Sequence, residues 1–110
     1  MYLPCELIAR RLLPVFRSCV ARELIEKYKF TQVKVAEKLG TTQAAISQYL
    51  RLKRGHKGLA EFKDMMPTIQ AVASEVASEI ASGKSSPEKI ALKFCELCLL
   101  LQKKKHLTGN

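Results

Sequence analysis

The segment Thr31–Arg51, TQVKVAEKLGTTQAAISQYLR, constrains this chain more than any other. Thr31 and Thr42 each stand just ahead of an apolar-patterned stretch, where a hydroxyl can accept a first-turn backbone N–H. Gly40 lies between the two stretches, where the chain must reverse through a positive φ that side chains disfavour. Two short helices are therefore expected, over Gln32–Leu39 and from Gln43 to about Leu50. Ala36, Gly40 and Ile46 follow Gln32 by four, eight and fourteen positions. That is the spacing of a helix-turn-helix: a small residue where the helices cross, a turn glycine, and a β-branched plug into the core. Val33, Val35, Leu39 and Leu50 supply further apolar surface. The same spacing fits an αα-corner that binds nothing, so the outward face has to distinguish the two.

The rest of the chain is also helical in pattern. Pro4 suits the first turn of a helix reaching about Leu13, with Cys5, Ile8 and Leu12 on one stripe. Pro14, lacking an amide hydrogen, either kinks that helix or opens a new one. From Val15 to Tyr28, Phe16, Val20 and Leu24 recur every four residues. After a basic loop over 51–58, a helix is expected from Leu59 to about Met66, and another from Pro67 to Ser82, ended by Gly83. The latter carries Ile69, Val72, Ala73, Val76 and Ile80 on one face. Ser86 caps a last helix with Pro87 in its first turn and Ile90, Phe94, Leu97 and Leu101 along its stripe. Residues from about 106 are expected to fray. With no strand pattern, the fold class is all-α. Three parts are expected: an N-terminal helix (1–13) packing on the C-terminal part, a helix-turn-helix domain (14–66), and a helical hairpin (67–110). The hairpin's apolar stripes and small residues suit dimerisation, or else complete the monomer core.

Charge points to a polyanion. The chain has 19 Lys and Arg against 10 Asp and Glu. Over 1–58 the balance is twelve to four, whereas over 59–110 it is seven to six. Neutralising phosphates releases condensed counterions, so a basic half suits nucleic acid. In the expected second helix Gln43, Ala44, Ser47 and Gln48 point outward. Gln pairs bidentately with adenine, Ser bonds indifferently, and an Ala methyl can meet a thymine methyl. No acidic residue falls between Lys38 and Lys57. Arg51, Lys53, Arg54 and Lys57 are placed to grip phosphates, and Gln32 and Thr42 can add phosphate contacts from helix N-termini. This face favours a double-stranded DNA binder over an inert corner. One such motif discriminates poorly, so a homodimer reading two half-sites is expected, with residues 67–104 as its interface.

The run GTTQAAISQYLRLKRG resembles the recognition region of the Xre/Cro/C1-type repressors. The resemblance implies a lambda-repressor-like helix-turn-helix domain with additional N- and C-terminal helices, and a sequence-specific transcription regulator. It implies that Gln43 reads adenine, that Gln48 is a second groove-facing glutamine and that Gln32 contacts phosphate. The stretch from Pro4-Cys5-Glu6 through Arg54-Gly55 is similar to a group of archaeal Xre-type regulators, over residues 3–58. There the domain occurs alone or fused to a ligand-sensing domain. No such sensing domain is visible here, and no small-molecule substrate is expected. Residues 59–110 share with that group mainly helicity and a Cys-x-x-Cys near the end.

Four cysteines form a second constellation. Cys95 and Cys98 are neighbours on one helical face. Thiolates suit zinc or an iron–sulfur cluster if they converge, and buried cysteine is the ordinary alternative. A straight helix would hold Cys5 and Cys19 ~21 Å apart. The resemblance favours Cys5, Cys95 and Cys98 as metal candidates over Cys19. A regulator responsive to oxidant, metal or cluster is thus one alternative, and an antitoxin-like interaction module another. No nucleophile, acid–base pair or phosphate loop stands out, so an enzyme is not expected. The longest apolar run, Leu97–Leu101, falls far short of the ~20 residues of a membrane span. Glu6, Arg10, Arg11 and Arg17 argue against a signal peptide. The cytoplasm is the expected compartment.

Overall fold

A computed structural model describes residues 4–51 and 62–109, with side chains described over 9–51 and 62–101. Among the described residues five α-helices run in order: α1 (Pro4–Glu26), α2 (Gln32–Leu39), α3 (Gln43–Leu50), α4 (Met66–Ala81) and α5 (Pro87–Gly109). A single 3₁₀ turn, Lys63–Met65, leads into α4. No strand occurs among the described residues. The fold is all-α with a helix-turn-helix at α2–α3.

Local chemistry accounts for the helix ends. Thr31 Oγ1 accepts the Lys34 amide at 3.1 Å, and Thr42 Oγ1 accepts the Ala45 amide at 3.1 Å. Gly40 takes φ +67° and lets the Thr41 amide return 2.9 Å to the Ala36 carbonyl. A Cβ there would meet no atom within 4 Å, so backbone conformation alone asks for glycine. Gly83 closes α4 likewise at φ +77°, with Lys84 N–H on the Glu79 carbonyl at 3.0 Å. Ser86 Oγ accepts the Lys89 amide at 3.3 Å and starts α5. After α1 the chain turns at Lys29, φ +60°, where no glycine is present.

Of the two readings of Pro14, a kinked single helix or a new one, the structure has the single helix, with Pro14 inside it. Leu12, Phe16, Val20 and Leu24 are spaced by four and all buried, so the apolar stripe crosses Pro14 in register. Burial of that stripe offsets the lost backbone hydrogen bond. At the other end α5 continues to Gly109, past the expected fraying point. The helix expected from Leu59 to about Met66 is corrected: 59–61 lie outside the described residues, and over 62–66 the chain makes a turn at Phe62, the 3₁₀ turn and then the first residue of α4.

Helix α1 is the hub and packs on each of the other four. Its widest contact is with α4, where Ala73 and Ala77 are buried, as is Ala21 on α1; small side chains let the backbones approach. Phe16 meets Phe94 of α5 with ring centroids 5.4 Å apart. Val35, Ala36 and Ile46 of the helix-turn-helix share one core with Ile69, Val76, Ile80, Leu97 and Leu101. The hairpin stripes proposed for a dimer interface are therefore used within the chain. Val33 is a further correction: it is 54% exposed, because only Val35 and Ala36 of α2 turn fully inward.

The two left-handed positions make opposite predictions. Gly40→Ala lowers unfolding free energy by about 1–2 kcal/mol, the cost of a side chain in that conformation. Lys29→Gly raises it by up to about 1 kcal/mol. Urea denaturation followed by circular dichroism measures both.

Candidate nucleic-acid interface

Helix α3 sorts its side chains by turn. Ile46 is fully buried, and Tyr49 and Leu50 pack against the core. Gln43, Ala44, Gln48 and Arg51 are exposed, and Ser47 is half-buried beside them. At about 100° per residue these five positions share one face. A shallow concavity runs along that face, bounded by Thr42, Ala44, Ser47, Gln48 and Arg51. The side chains expected to face a groove are thus together and outward. Lys53, Arg54 and Lys57, expected to hold phosphates, lie outside the described residues.

Gln32 and Ser47 have a relation that was not expected. Ser47 Oγ donates to Gln32 Oε1 at 2.7 Å, tying the start of α2 to the middle of α3. The bond uses the acceptor end of Gln32 and one donor of Ser47. The bond leaves the amide N–H groups of Gln32 and the lone pairs of Ser47 outside it, a donor and an acceptor for a ligand. Thr42 is exposed, and its hydroxyl serves as the α3 cap.

The C-terminal end of α3 is held by α1. A helix leaves its last carbonyls without intrahelical donors. Here Ser18 Oγ donates to the Tyr49 carbonyl at 3.1 Å, and Arg22 Nη2 to the Leu50 carbonyl at 2.9 Å. Arg17 Nη1 donates to Tyr49 Oη at 3.2 Å. Two guanidinium groups beside a helix C-terminus also suit its dipole. Sequence reasoning missed these three positioning residues. The available signal was their spacing, 17, 18 and 22, which puts them on one side of α1.

The cysteines divide by environment. Cys95 is exposed, Cys98 is buried and Cys19 is half-buried. Burial pushes the Cys19 thiol up, against the lowering pull of Arg22. The Cys5 side chain lies outside the described ones. Among the described residues no three metal-ligating side chains come together. No helix among the described residues is long and apolar enough to cross a membrane.

Residues 12–62 match the family model described as ParB HTH domain. The match covers just under half the chain and supports a helix-turn-helix DNA-binding domain, without singling out the Xre/Cro/C1 type. Neither the curated proteins nor the solved structures searched contain a match.

Ser18 is 3% exposed, and removing its hydroxyl takes the side-chain donor from the Tyr49 carbonyl and leaves a small buried gap in α1. Ser18→Ala is expected to cost about 1–3 kcal/mol and to speed amide hydrogen exchange over the last turn of α3 more than elsewhere in the core.

Proposed function

We propose that the chain is a sequence-specific regulator of transcription that binds double-stranded DNA as a homodimer. The observation carrying this reading is the single exposed face of Gln43, Ala44, Gln48 and Arg51 on a helix whose other end is pinned to α1. Gln43 and Gln48 read base edges in the major groove, Ala44 meets a thymine methyl, and Ser47 adds an adaptable hydroxyl. Arg51, Gln32 and the amides that follow Thr42 hold phosphates, joined by Lys53, Arg54 and Lys57. The face has no carboxylate, so nothing on it repels the strands.

The second copy docks on the outer face of α5. Leu92 and Leu99 are 63% and 58% exposed and stand two turns apart on one line, with Leu100 beside them at 41%. Leu97 and Leu101 face the opposite way, into the core. A helix buried along one side with leucines along the other suits pairing with its own copy. Two copies present two α3 helices, and two half-sites about one helical turn, ~34 Å, apart are the matching target.

Two experiments test this. Binding-site selection followed by affinity measurements across a salt series separates base from phosphate contacts. Gln43→Ala is expected to lose about 1–3 kcal/mol of discrimination between selected and scrambled sites while keeping salt-dependent binding. Arg51→Ala is expected to weaken all sites alike and lower the salt slope by about one. Unchanged site preference in Gln43→Ala refutes the docking. Sedimentation of the double variant Leu92→Glu/Leu99→Glu is expected to give a monomer, with a folded circular dichroism spectrum; a wild-type chain monomeric at micromolar concentration refutes the dimer.

A further inference from the structure

A cavity of about 270 Å³ opens between α1, the end of α2 and the first turns of α5. It lies away from the exposed face of α3 and is not used by the proposed function. Its walls are apolar, from Leu13, Leu39, Ile90 and Phe94 among others, and two cations, Arg17 and Lys38, also line it. No carboxylate lines it. The volume is near the lower end of small-molecule sites. An apolar wall with cationic groups and no anion selects an occupant that is apolar along its body and negative at one end. A nucleotide or sugar would leave most of its polar groups without partners in such a site.

Arg17 gives the cavity a connection to α3. Its Nη1 donates to the hydroxyl of Tyr49, on the recognition helix, at 3.2 Å. A carboxylate in the cavity offers the same guanidinium an ionised acceptor, which adds ion-pair attraction that the neutral Tyr49 hydroxyl cannot supply. We propose that this cavity binds a small apolar monocarboxylate, held by Arg17 and Lys38, and that the bound anion draws Arg17 from Tyr49 and loosens the end of α3. The effect on DNA rests on the function proposed above, whereas binding in the cavity does not.

The test is an NMR titration of the full chain with octanoate, alongside 1-octanol, which has the same chain length and no charge. Octanoate is expected to give saturable shifts at Leu39, Ile90 and Phe94. Octanol is expected to bind about tenfold more weakly or worse, because it forfeits the charged contacts. Ala91→Phe puts bulk at an exposed position on the cavity wall and is expected to abolish the shifts while circular dichroism stays unchanged. Tyr49→Phe releases Arg17 and is expected to tighten octanoate by about two- to threefold. Absence of saturable shifts, equal binding of octanol, or full binding by Ala91→Phe overturns the site. Shifts at the same residues on concentrating the protein alone assign the cavity to a second copy, and also overturn it. Weaker octanoate binding by Tyr49→Phe overturns the competition for Arg17. Saturating octanoate is expected to weaken duplex binding by wild type and leave Ala91→Phe unaffected; octanoate binding with unchanged duplex affinity overturns the coupling. A chain that binds no duplex refutes the proposed function, while the titration still judges the cavity.

Discussion

Everything presented by the recognition helix depends on how the orphan carbonyls at its C-terminus are satisfied. Helix α3 has eight residues, too few to persist alone in water. Its first turn is closed by the Thr42 hydroxyl, a local device within the helix itself. Its last turn is closed by Ser18 and Arg22, side chains from a helix about 30 positions earlier in the chain. Ile46 fastens the middle from below. With both ends and one face fixed, the outward side chains keep a defined pose, and base readout needs that pose because hydrogen bonds fall off steeply with misalignment.

The same bonds change how the charge should be read. Arg17 and Arg22 belong to the strongly basic half of the chain, yet their guanidinium groups face the end of α3 and not solvent phosphate. Elsewhere Lys93 pairs with Glu75 across α5 and α4, which raises the lysine's affinity for its proton. Net charge thus indicates the partner's sign correctly and overstates the area available to it. Arg51, exposed at the end of α3, carries its charge on the outward face.

The helix-turn-helix was legible because its determinants are local. Thr31, Gly40 and Thr42 act within four residues of their own positions, and Ala36 and Ile46 follow from helical period. The apolar stripes of α4 and α5 were legible for the same reason. What those stripes pack against was not, because period identifies a buried face without naming its neighbour; they face α1 and the shared core, which leaves Leu92 and Leu99 as the outward pair. Pro14 left two readings open, because the local rule does not weigh tertiary burial. A proline inside a helix costs about 3 kcal/mol, but each buried leucine- or phenylalanine-sized side chain returns about 1.5–3 kcal/mol. Leu12, Val15 and Phe16 flank it closely enough to decide the sum. The bonds of Ser18 and Arg22 to α3 link positions about 30 apart, a relation that no window along one sequence displays.

This arrangement joins parts that the sequence divides. Along α1, Phe16 meets α5, Arg17, Ser18 and Arg22 hold α3, and Glu23 accepts a hydrogen bond from Ser74 of α4 at 3.0 Å. Those attachments fall within about 11 Å of helix axis, at 1.5 Å per residue. A rigid helix that short transmits displacement instead of absorbing it. A shift of α5, whether from pairing on its outer leucines or from an occupant between it and α1, therefore reaches the end of α3 without crossing a flexible linker. The cavity lies where that transmission begins: Phe94 forms part of its wall, Arg17 lines it, and Tyr49 is the next atom group along. In the dimer proposed above, each copy carries the same chain of contacts from α5 through α1 to α3.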